Sequence, residues 1–414
     1  MRVIVLGAGL LGVASAYYLQ QLGHEVTVVD RHASPAAKAR GRVNRHEEGA
    51  AAQPAALSSS PAGTKRKESA LYSRLRRHLA RLLDRAIGER RKSDPFEHLV
   101  RLAAYSRESV RALSDEAGMP QSARTAGLLS LYTDAAAFED RTARAAHWNR
   151  LGCEERLLSP EDALRIEPAL QAMRIGLAGA AYTQDDPARD PAQFAASLVF
   201  LCRAAGVRFA MKHTVVSLHE REGRIDHVEL RDAGGRPTAM RAQAYVLALG
   251  AAGAPHAQQL GIAMPLRHLR EYIVTMPIKD AARAPRVTLR DRQGKLRITR
   301  IETPAGDSLR VSGFARDRLD EEGEADSDRF DAILRRFEQL FPGAADTAHA
   351  TLETVGHAVS RNGLPMIGKT RLPNLFLNTA PGAHGWVHVC GAGKSIARIM
   401  SGLRPELEFA FRGM

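Results

Sequence analysis

The N-terminus alternates between short apolar runs and a longer apolar stretch with helical composition. Residues 3–6 are four consecutive apolar residues, which is typical of a buried parallel strand. Residues 10–22 are rich in Ala and Leu and predict a helix, and Gly23 ends it. Residues 25–29 predict a second strand. A strand, a helix and a strand within about thirty residues predict a βαβ unit.

Three glycines occupy the first turn of this unit in the spacing G-x-G-x-x-G. Gly7 permits the tight turn, Gly9 lets the backbone approach a pyrophosphate, and Gly12 lets the helix pack on the sheet. The helix begins with Leu10 and Leu11, where free N–H groups and the positive end of the helix dipole face a phosphate. The spacing and its context predict a dinucleotide-binding site.

Asp30 ends the second predicted strand, where its carboxylate can accept hydrogen bonds from a ribose diol. Two other interpretations compete: a βαβ unit without a ligand, and a secretory signal peptide. Arg2 alone supplies charge before the apolar run, and the strand that ends at Asp30 follows at once. This pattern disfavours the signal peptide.

The rest of the chain mixes strands and amphipathic helices. Predicted strands cover residues 128–132, 207–218, 226–231, 244–250, 266–276, 295–314 and 375–378. Predicted helices cover residues 95–117, 135–151, 191–205, 327–340 and 394–400, and Ser159-Pro160 starts another by capping chemistry. Two strands of nucleotide-binding type, 3–6 and 244–250, lie far apart. The pattern predicts an α/β fold with a Rossmann-like domain built from separated segments, plus an α+β substrate domain with a mixed or antiparallel sheet.

Length and composition narrow the class of protein. With 414 residues, two domains are expected. We assign residues 1–110, 190–260 and 350–414 to the dinucleotide domain, and residues 111–189 and 261–349 to the substrate domain. The three cysteines lie far apart, which predicts a reducing, cytoplasmic setting. Their spacing to histidines predicts no metal site.

Most of the net charge of +13 lies in one segment, because residues 31–92 hold sixteen Lys and Arg against five Asp and Glu. Residues 32–70 carry almost no large apolar residue and predict a loop or disorder. Residues 71–92 predict a basic amphipathic helix, either a solvated scaffold helix or a peripheral membrane contact. The segment lacks interleaved aromatic residues, so no nucleic-acid partner is expected.

The tail carries a glycine-rich turn before its predicted helix. Gly382, Gly385, Gly391 and Gly393 are expected to let backbone N–H groups approach a ligand. A helix N-terminus at this point would stabilise negative charge on a reduced flavin ring.

Four stretches of the chain, residues 3–31, 101–109, 244–250 and 362–402, resemble the D-amino-acid oxidase superfamily, and within it the bacterial D-amino acid dehydrogenases. The resemblance implies FAD as cofactor, with Gly7, Gly9, Gly12 and Asp30 at its ADP half, Gly250 closing the site, and the tail near the flavin ring. The candidate cofactor residues are Gly7, Gly9, Leu10, Leu11, Gly12, Asp30, Arg31, Gly250, Gly382, Gly385 and Trp386.

The resemblance also implies an activity: oxidative deamination of a D-amino or related acid by hydride transfer from Cα to flavin N5. The electrons would pass to a quinone or a carrier protein. Tyr272 is the candidate for lining the substrate pocket, with a core tyrosine as the other interpretation.

His357 stands where the family places an arginine that binds the substrate carboxylate. A histidine cannot form the bidentate pair, and a charged hydrogen bond contributes roughly 1.5–3 kcal/mol. Arg300 and Arg361 are candidates to replace it. The alternative function is a catalytically impaired FAD-binding subunit of the same superfamily.

Overall fold

The computed structural model describes residues 1–35, 95–116, 127–183, 191–303, 306–316, 324–382 and 385–407. The predicted helix over residues 71–92 and most of the predicted disordered segment lie outside these residues. The strands are β1 Arg2–Leu6, β2 Glu25–Asp30, β3 Leu128–Tyr132, β4 Arg156–Leu158, β5 Gly179–Thr183, β6 Arg208–Met211, β7 Thr214–Arg221, β8 Arg224–Arg231, β9 Pro237–Met240, β10 Ala244–Leu247, β11 Leu266–Pro277, β12 Thr288–Asp291, β13 Leu296–Thr303, β14 Gly306–Arg316, β15 Thr351–Ser360, β16 Met366–Lys369 and β17 Leu375–Thr379.

The α-helices are α1 Leu10–Gln21, α2 Pro95–Glu116, α3 Ala135–Arg150, α4 Pro160–Ile166, α5 Pro191–Ala204, α6 Gly253–Gln259, α7 Glu324–Leu340 and α8 Gly385–Met400. Short 3₁₀ turns cover Pro168–Ala172, Gly250–Ala252 and Thr347–His349. The predicted cap at Ser159 is confirmed, because its hydroxyl accepts a hydrogen bond from the Asp162 amide at 3.1 Å.

A six-stranded sheet contains both strands of nucleotide-binding type. Its order is β16-β17-β10-β1-β2-β6, parallel except for β16 at one edge. Strand β1 lies between β2 and β10, with Leu6 level with Val29 on one side and Leu247 on the other. The far-separated runs of the sequence are therefore neighbours in one parallel sheet, and the predicted domain built from separated segments is confirmed.

Both faces of this sheet are buried, which explains why its strands are continuous apolar runs. Val3 and Val5 pack with helices α1, α2, α5 and α8. Ile4 and Leu6 pack on the other side, against α6 and a three-stranded antiparallel sheet of order β7-β8-β9. Successive side chains of one strand therefore serve two different cores.

The expected continuous strand over residues 207–218 is divided in the structure. Strand β6 joins the edge of the six-stranded sheet beside β2, while β7 joins the three-stranded sheet beside β8. Lys212 lies between them with φ of 59°, a left-handed conformation that turns the chain. The amides of Lys212 and His213 donate to the carbonyls of His32 and Asp30, at 3.0 and 2.9 Å. These bonds fix the change of sheet.

The second large sheet has eight strands in the order β15-β11-β14-β13-β12-β3-β5-β4. Neighbouring strands are antiparallel except β12 and β3. One face packs its apolar residues against α4 and α7. The other face carries polar side chains that are mostly half-buried, such as Glu271, Arg290 and Arg310. The sheet is therefore mixed, and it has one apolar and one polar face.

The tail helix begins earlier than the predicted helix over residues 394–400. Helix α8 starts at Gly385, so Gly391 and Gly393 lie inside it instead of at a ligand-facing turn. A Cβ at Gly391 would stand 3.0 Å from the Leu102 side chain, and one at Gly393 would stand 2.8 Å from the backbone of Ala14. These two glycines let α8 pack closely on α2 and α1. In the part of the chain that the structure describes, we find no helix long and apolar enough to cross a membrane.

Candidate functional site

The turn between β1 and α1 brings the three glycines of the motif together. Gly7 has φ of +108° and donates its amide to the carbonyl of Val29 at 2.8 Å. A Cβ at Gly12 would stand 1.8 Å from the Gly7 carbonyl oxygen, so the helix can only abut the turn with glycine there. Gly9 differs, because beyond Gly9 and its two chain neighbours no atom of the described residues lies within 4 Å of the position of its Cβ.

The start of α1 forms a cradle for an anion. Gly9 is the N-cap, and neither a side-chain cap nor an acidic residue in the first turn is present among the described residues. The N–H groups at Leu10 and Leu11 therefore receive no side-chain cap from this part of the chain, and they carry the positive end of the helix dipole. Leu11 is buried and Leu10 is half-buried against the helix core. The free space above Gly9 and the uncapped helix start fit the pyrophosphate of a dinucleotide.

Asp30 links the end of β2 to the glycine turn. One carboxylate oxygen, Oδ2, accepts the Ala8 amide at 2.7 Å. The other, Oδ1, accepts the His32 amide at 2.9 Å and lies 2.6 Å from His32 Nδ1. Arg31 is exposed between these two residues. The carboxylate is thus held at the edge of the cradle, and Oδ2 retains a lone pair for a ribose hydroxyl.

The segment after β10 lies beside the same turn. A Cβ at Gly7 would stand 2.5 Å from the Ala248 carbonyl oxygen, so the two backbones are in close contact. Gly250 has φ of +62°, and nothing in the described ranges lies within 4 Å of its Cβ position. The structure therefore brings Gly7, Gly9, Gly12, Asp30 and Gly250 together at the carboxyl ends of β1, β2 and β10, where open α/β sheets bind ligands.

Two buried polar groups lie at the end of the neighbouring strand β17. Asn378 is fully buried and donates through Nδ2 to the Ser15 hydroxyl at 2.8 Å. Its Oδ1 and the hydroxyl of Thr379 have no hydrogen-bond partner within the described part of the chain. Buried polar atoms are normally satisfied, so this edge of the sheet fits a ligand with donors of its own.

We call the segment between β17 and α8 the tail loop. Gly382 has φ of +73°, and its carbonyl accepts the Gly385 amide at 3.1 Å. A Cβ at Gly385 would stand 2.7 Å from the Pro381 ring, so the loop requires glycine at that point. Trp386 packs its ring edge-on against Phe194 at a centroid distance of 4.8 Å. This aromatic contact anchors the start of α8 on α5.

His388, one turn into α8, is a buried base beside the same loop. Burial lowers its pKa to about 4, although hydrogen bonding to the backbone of Leu99 and Pro381 acts in the opposite direction. The imidazole is therefore neutral at neutral pH. It lies between the tail loop and α2, and connects them.

His357 lies on the polar face of the eight-stranded sheet, near the tail loop. Its Nε2 is 2.8 Å from Glu271 Oε2, and both side chains are partly buried, with 24% and 16% of their areas exposed. His357 is level with Leu269 on β11, so it meets Glu271 as a diagonal cross-strand pair on one face. Two residues further, Val359 forms an isolated bridge with Pro381. The bridge connects this strand to the tail loop.

The structure places neither Tyr272 nor Arg300 beside the Glu271–His357 pair. Tyr272 alternates with Glu271 along β11, so its ring lies in the apolar core on the opposite face, 4% exposed. Arg300 donates to Asp307 at 2.7 Å. Arg300 is level with Met276 of β11, which lies seven residues along that strand from Leu269, the residue level with His357. Its own strand, β13, is the third strand from β15 in the sheet. At about 3.3 Å per residue and 4.8 Å per strand, this is a separation of over 20 Å.

Several residues that shape the site carry no signal in the sequence pattern. Glu271 pairs with His357 from a strand more than eighty residues away, and Asn378 pairs with Ser15 across 363 residues. His32, which binds Asp30, lies in the atypical basic segment. Only strand register and helix packing bring these partners together.

A protein-family comparison matches residues 2–399 to the FAD dependent oxidoreductase family. The chain is 33% identical over 420 residues to a D-amino acid dehydrogenase of Dechloromonas aromatica, covering 99% of both chains. It is 32% identical over 421 residues to a D-amino acid dehydrogenase of Methylobacterium radiotolerans, covering 98% of this chain and 97% of that protein.

Solved structures show the same fold at lower identity. Glycine oxidase from Geobacillus kaustophilus superposes with a TM-score of 0.71 at 19% identity, covering 100% of this chain and 98% of that chain. L-Proline dehydrogenase from P. horikoshii superposes with a TM-score of 0.70 at 18% identity, covering 97% and 94%. The predicted fold class and the predicted resemblance are confirmed, and the chain belongs to the FAD-dependent oxidoreductase family.

Proposed function

We propose that this chain binds FAD at the carboxyl edge of the six-stranded sheet. The glycine turn, the uncapped start of α1 and Asp30 would hold the ADP half, with Gly250 closing the site. Gly382, Gly385 and Trp386 belong to the loop and helix start proposed to lie near the flavin ring. The supporting observation is the cradle above Gly9, which glycine at positions 7 and 12 makes possible.

We further propose that the chain oxidises a D-amino or related amino acid to the imino acid, which then hydrolyses. Bound FAD would supply the acceptor for the hydride. The whole-length likeness to proteins named D-amino acid dehydrogenase carries this proposal. The protein's own contribution is to hold the substrate with its Cα–H directed at the cofactor and to exclude water.

His357 is the residue that we propose for the substrate side of the site, because it occupies the position of the family's arginine. Tyr272 and Arg300 are poor candidates, since they lie on the apolar face or far along the sheet. We propose a quinone or a carrier protein as the electron acceptor. A cytoplasmic location and a peripheral membrane contact through residues 71–92 stay predictions from the sequence.

A second candidate is an FAD-binding subunit with impaired catalysis. The observation that favours it is the Glu271–His357 pair, because a carboxylate beside the histidine weakens any pairing with a substrate carboxylate.

One spectrum distinguishes the two. The purified protein is mixed anaerobically with D- and L-amino acids while the flavin absorbance is followed. Bleaching by D-amino acids, and not by the L-enantiomers, supports the dehydrogenase. A flavin band that no amino acid bleaches supports the impaired subunit, and a protein that takes up no FAD contradicts both.

A further inference from the structure

The carboxylate of Asp30 makes three hydrogen bonds, and two of them come from one residue. The amide nitrogen and the ring Nδ1 of His32 lie 2.9 and 2.6 Å from Oδ1, and the Ala8 amide nitrogen lies 2.7 Å from Oδ2. Because the carboxylate oxygen is the acceptor, Nδ1 is the donor atom of the ring. His32 therefore binds one oxygen of Asp30 with both its backbone and its side chain.

The number of bonds on each oxygen decides which one can face a ligand. A carboxylate has about four acceptor positions, two on each oxygen. His32 takes both positions on Oδ1, and Ala8 takes one on Oδ2. Within the described ranges, one acceptor position is left, and it belongs to the oxygen that contacts the glycine turn.

The backbone around His32 is held in place as well. Its carbonyl accepts the Lys212 amide at 3.0 Å, and the Asp30 carbonyl accepts the His213 amide at 2.9 Å. The chain after β2 is thus fixed where β6 gives way to β7. The side chains of Asp30 and His32 are 13% and 36% exposed, so this ordered pair is still within reach of a ligand at the cradle.

We propose that His32 is a positioning residue for the cofactor. By binding Oδ1 it fixes the plane of the Asp30 carboxylate, and Oδ2 then accepts one hydroxyl of the adenosine ribose of FAD. The ring acts through Asp30 and does not itself contact the cofactor. The inference rests on the proposed FAD site and names a residue that determines how tightly the site binds its ligand.

Without the ring, the Asp30 side chain would have to be ordered when FAD binds, and that ordering costs affinity. The test follows release of FAD from the loaded protein on dilution, by the recovery of flavin fluorescence. We expect the dissociation constant to rise about 3- to 10-fold in His32→Ala. We expect His32→Asn, whose side-chain amide keeps a donor, to restore most of the affinity. Unchanged affinity in His32→Ala, or equal weakening in both variants, overturns the proposal.

A double-mutant cycle tests whether the ring acts through the carboxylate. Asp30→Ala removes the acceptor, and we expect it to weaken FAD binding about 10- to 100-fold. Adding His32→Ala to this variant is expected to have no further effect, because the ring then has no carboxylate to position. Losses that add in the double variant would show that His32 acts independently of Asp30, and would overturn the proposal.

The matched control is His213→Ala, which removes a histidine ring from the same crossing. The Nδ1 of His213 lies 2.7 Å from the Met211 carbonyl oxygen, and the backbone amide that binds the Asp30 carbonyl is kept in the variant. We expect its FAD release to match the wild type. Weakening as large as that in His32→Ala would assign the effect to the loop as a whole and overturn the proposal.

The same measurement separates this inference from the proposed function. If the wild type takes up no FAD, the proposed cofactor site and the role of His32 fail together. If FAD binds but no amino acid bleaches it, the proposed oxidation alone fails, and FAD release from His32→Ala still decides the role of His32.

Discussion

The two large sheets form their parts of the site in different ways. In the six-stranded sheet both faces are apolar, and the cradle consists of backbone at the ends of β1, β2 and β10. In the eight-stranded sheet one face is apolar, and the other presents side chains from separate strands. The first arrangement depends on glycines, whereas the second depends on register. A site formed by backbone leaves a local motif, and a site formed by side chains across strands does not.

The largest loss of stability is expected when the buried ion pair on the apolar face of the eight-stranded sheet is broken. Asp291 is fully buried and is bound by the Arg336 guanidinium at 2.6 and 3.0 Å. Asp291→Asn leaves this guanidinium with an uncompensated charge, at a cost of about 3–5 kcal/mol. Denaturant unfolding measures the loss. A loss under about 1 kcal/mol would show that the pair does not hold this face.

A pH-dependent loss of stability is expected from His388 of helix α8. Its pKa is about 4 in the folded protein, below the unfolded value of about 6.5. Because the unfolded chain binds the proton first, stability is lost as pH falls from about 6.5 to 4, by about 3 kcal/mol. Unfolding free energies at pH 7 and pH 4.5 are compared for the wild type and His388→Gln. An equal loss of stability in both proteins would show that other titratable groups cause it.

Two glycine variants sharpen the contrast between backbone and side chain within the cradle. Gly12→Ala places a Cβ against the Gly7 carbonyl, so we expect the helix to shift, FAD to be lost and stability to fall by about 1–3 kcal/mol. Gly9→Ala meets no atom of the described residues, so we expect wild-type stability with weakened FAD binding. Flavin absorbance and thermal unfolding separate the two. Full FAD binding by Gly9→Ala would contradict the proposed position of the pyrophosphate.

The smallest effect is expected at an exposed ion pair. Arg236 is 85% exposed and donates to Asp232 at 3.0 Å in the turn before β9. We expect Arg236→Gln to leave the free energy of unfolding close to that of the wild type, because water and salt screen such a pair. The same unfolding measurement provides the baseline for Asp291→Asn.

Elements with a local sequence signal were predictable, whereas features set by contacts between distant residues were not. The βαβ unit, the buried strand before Gly250 and the helix over residues 191–205 were predictable, because each carries its own periodicity and punctuation. The predicted strand over residues 207–218 is divided at Lys212, because the amides of Lys212 and His213 donate to the carbonyls of His32 and Asp30 and so set the path of the chain. The tail pattern predicts Gly391 and Gly393 at a ligand, which is wrong, because close helix packing requires these two glycines.

By itself, the sequence determined the family, the βαβ unit and the glycine turn with Asp30 at its edge. These features are local, because a turn or a strand needs only its own residues to be favoured. The tertiary structure alone decided that Glu271 meets His357, that Tyr272 lies on the opposite face, and that Arg300 is far from both. A shift of one residue in register would reverse each face, and register depends on contacts between strands that are distant in the chain.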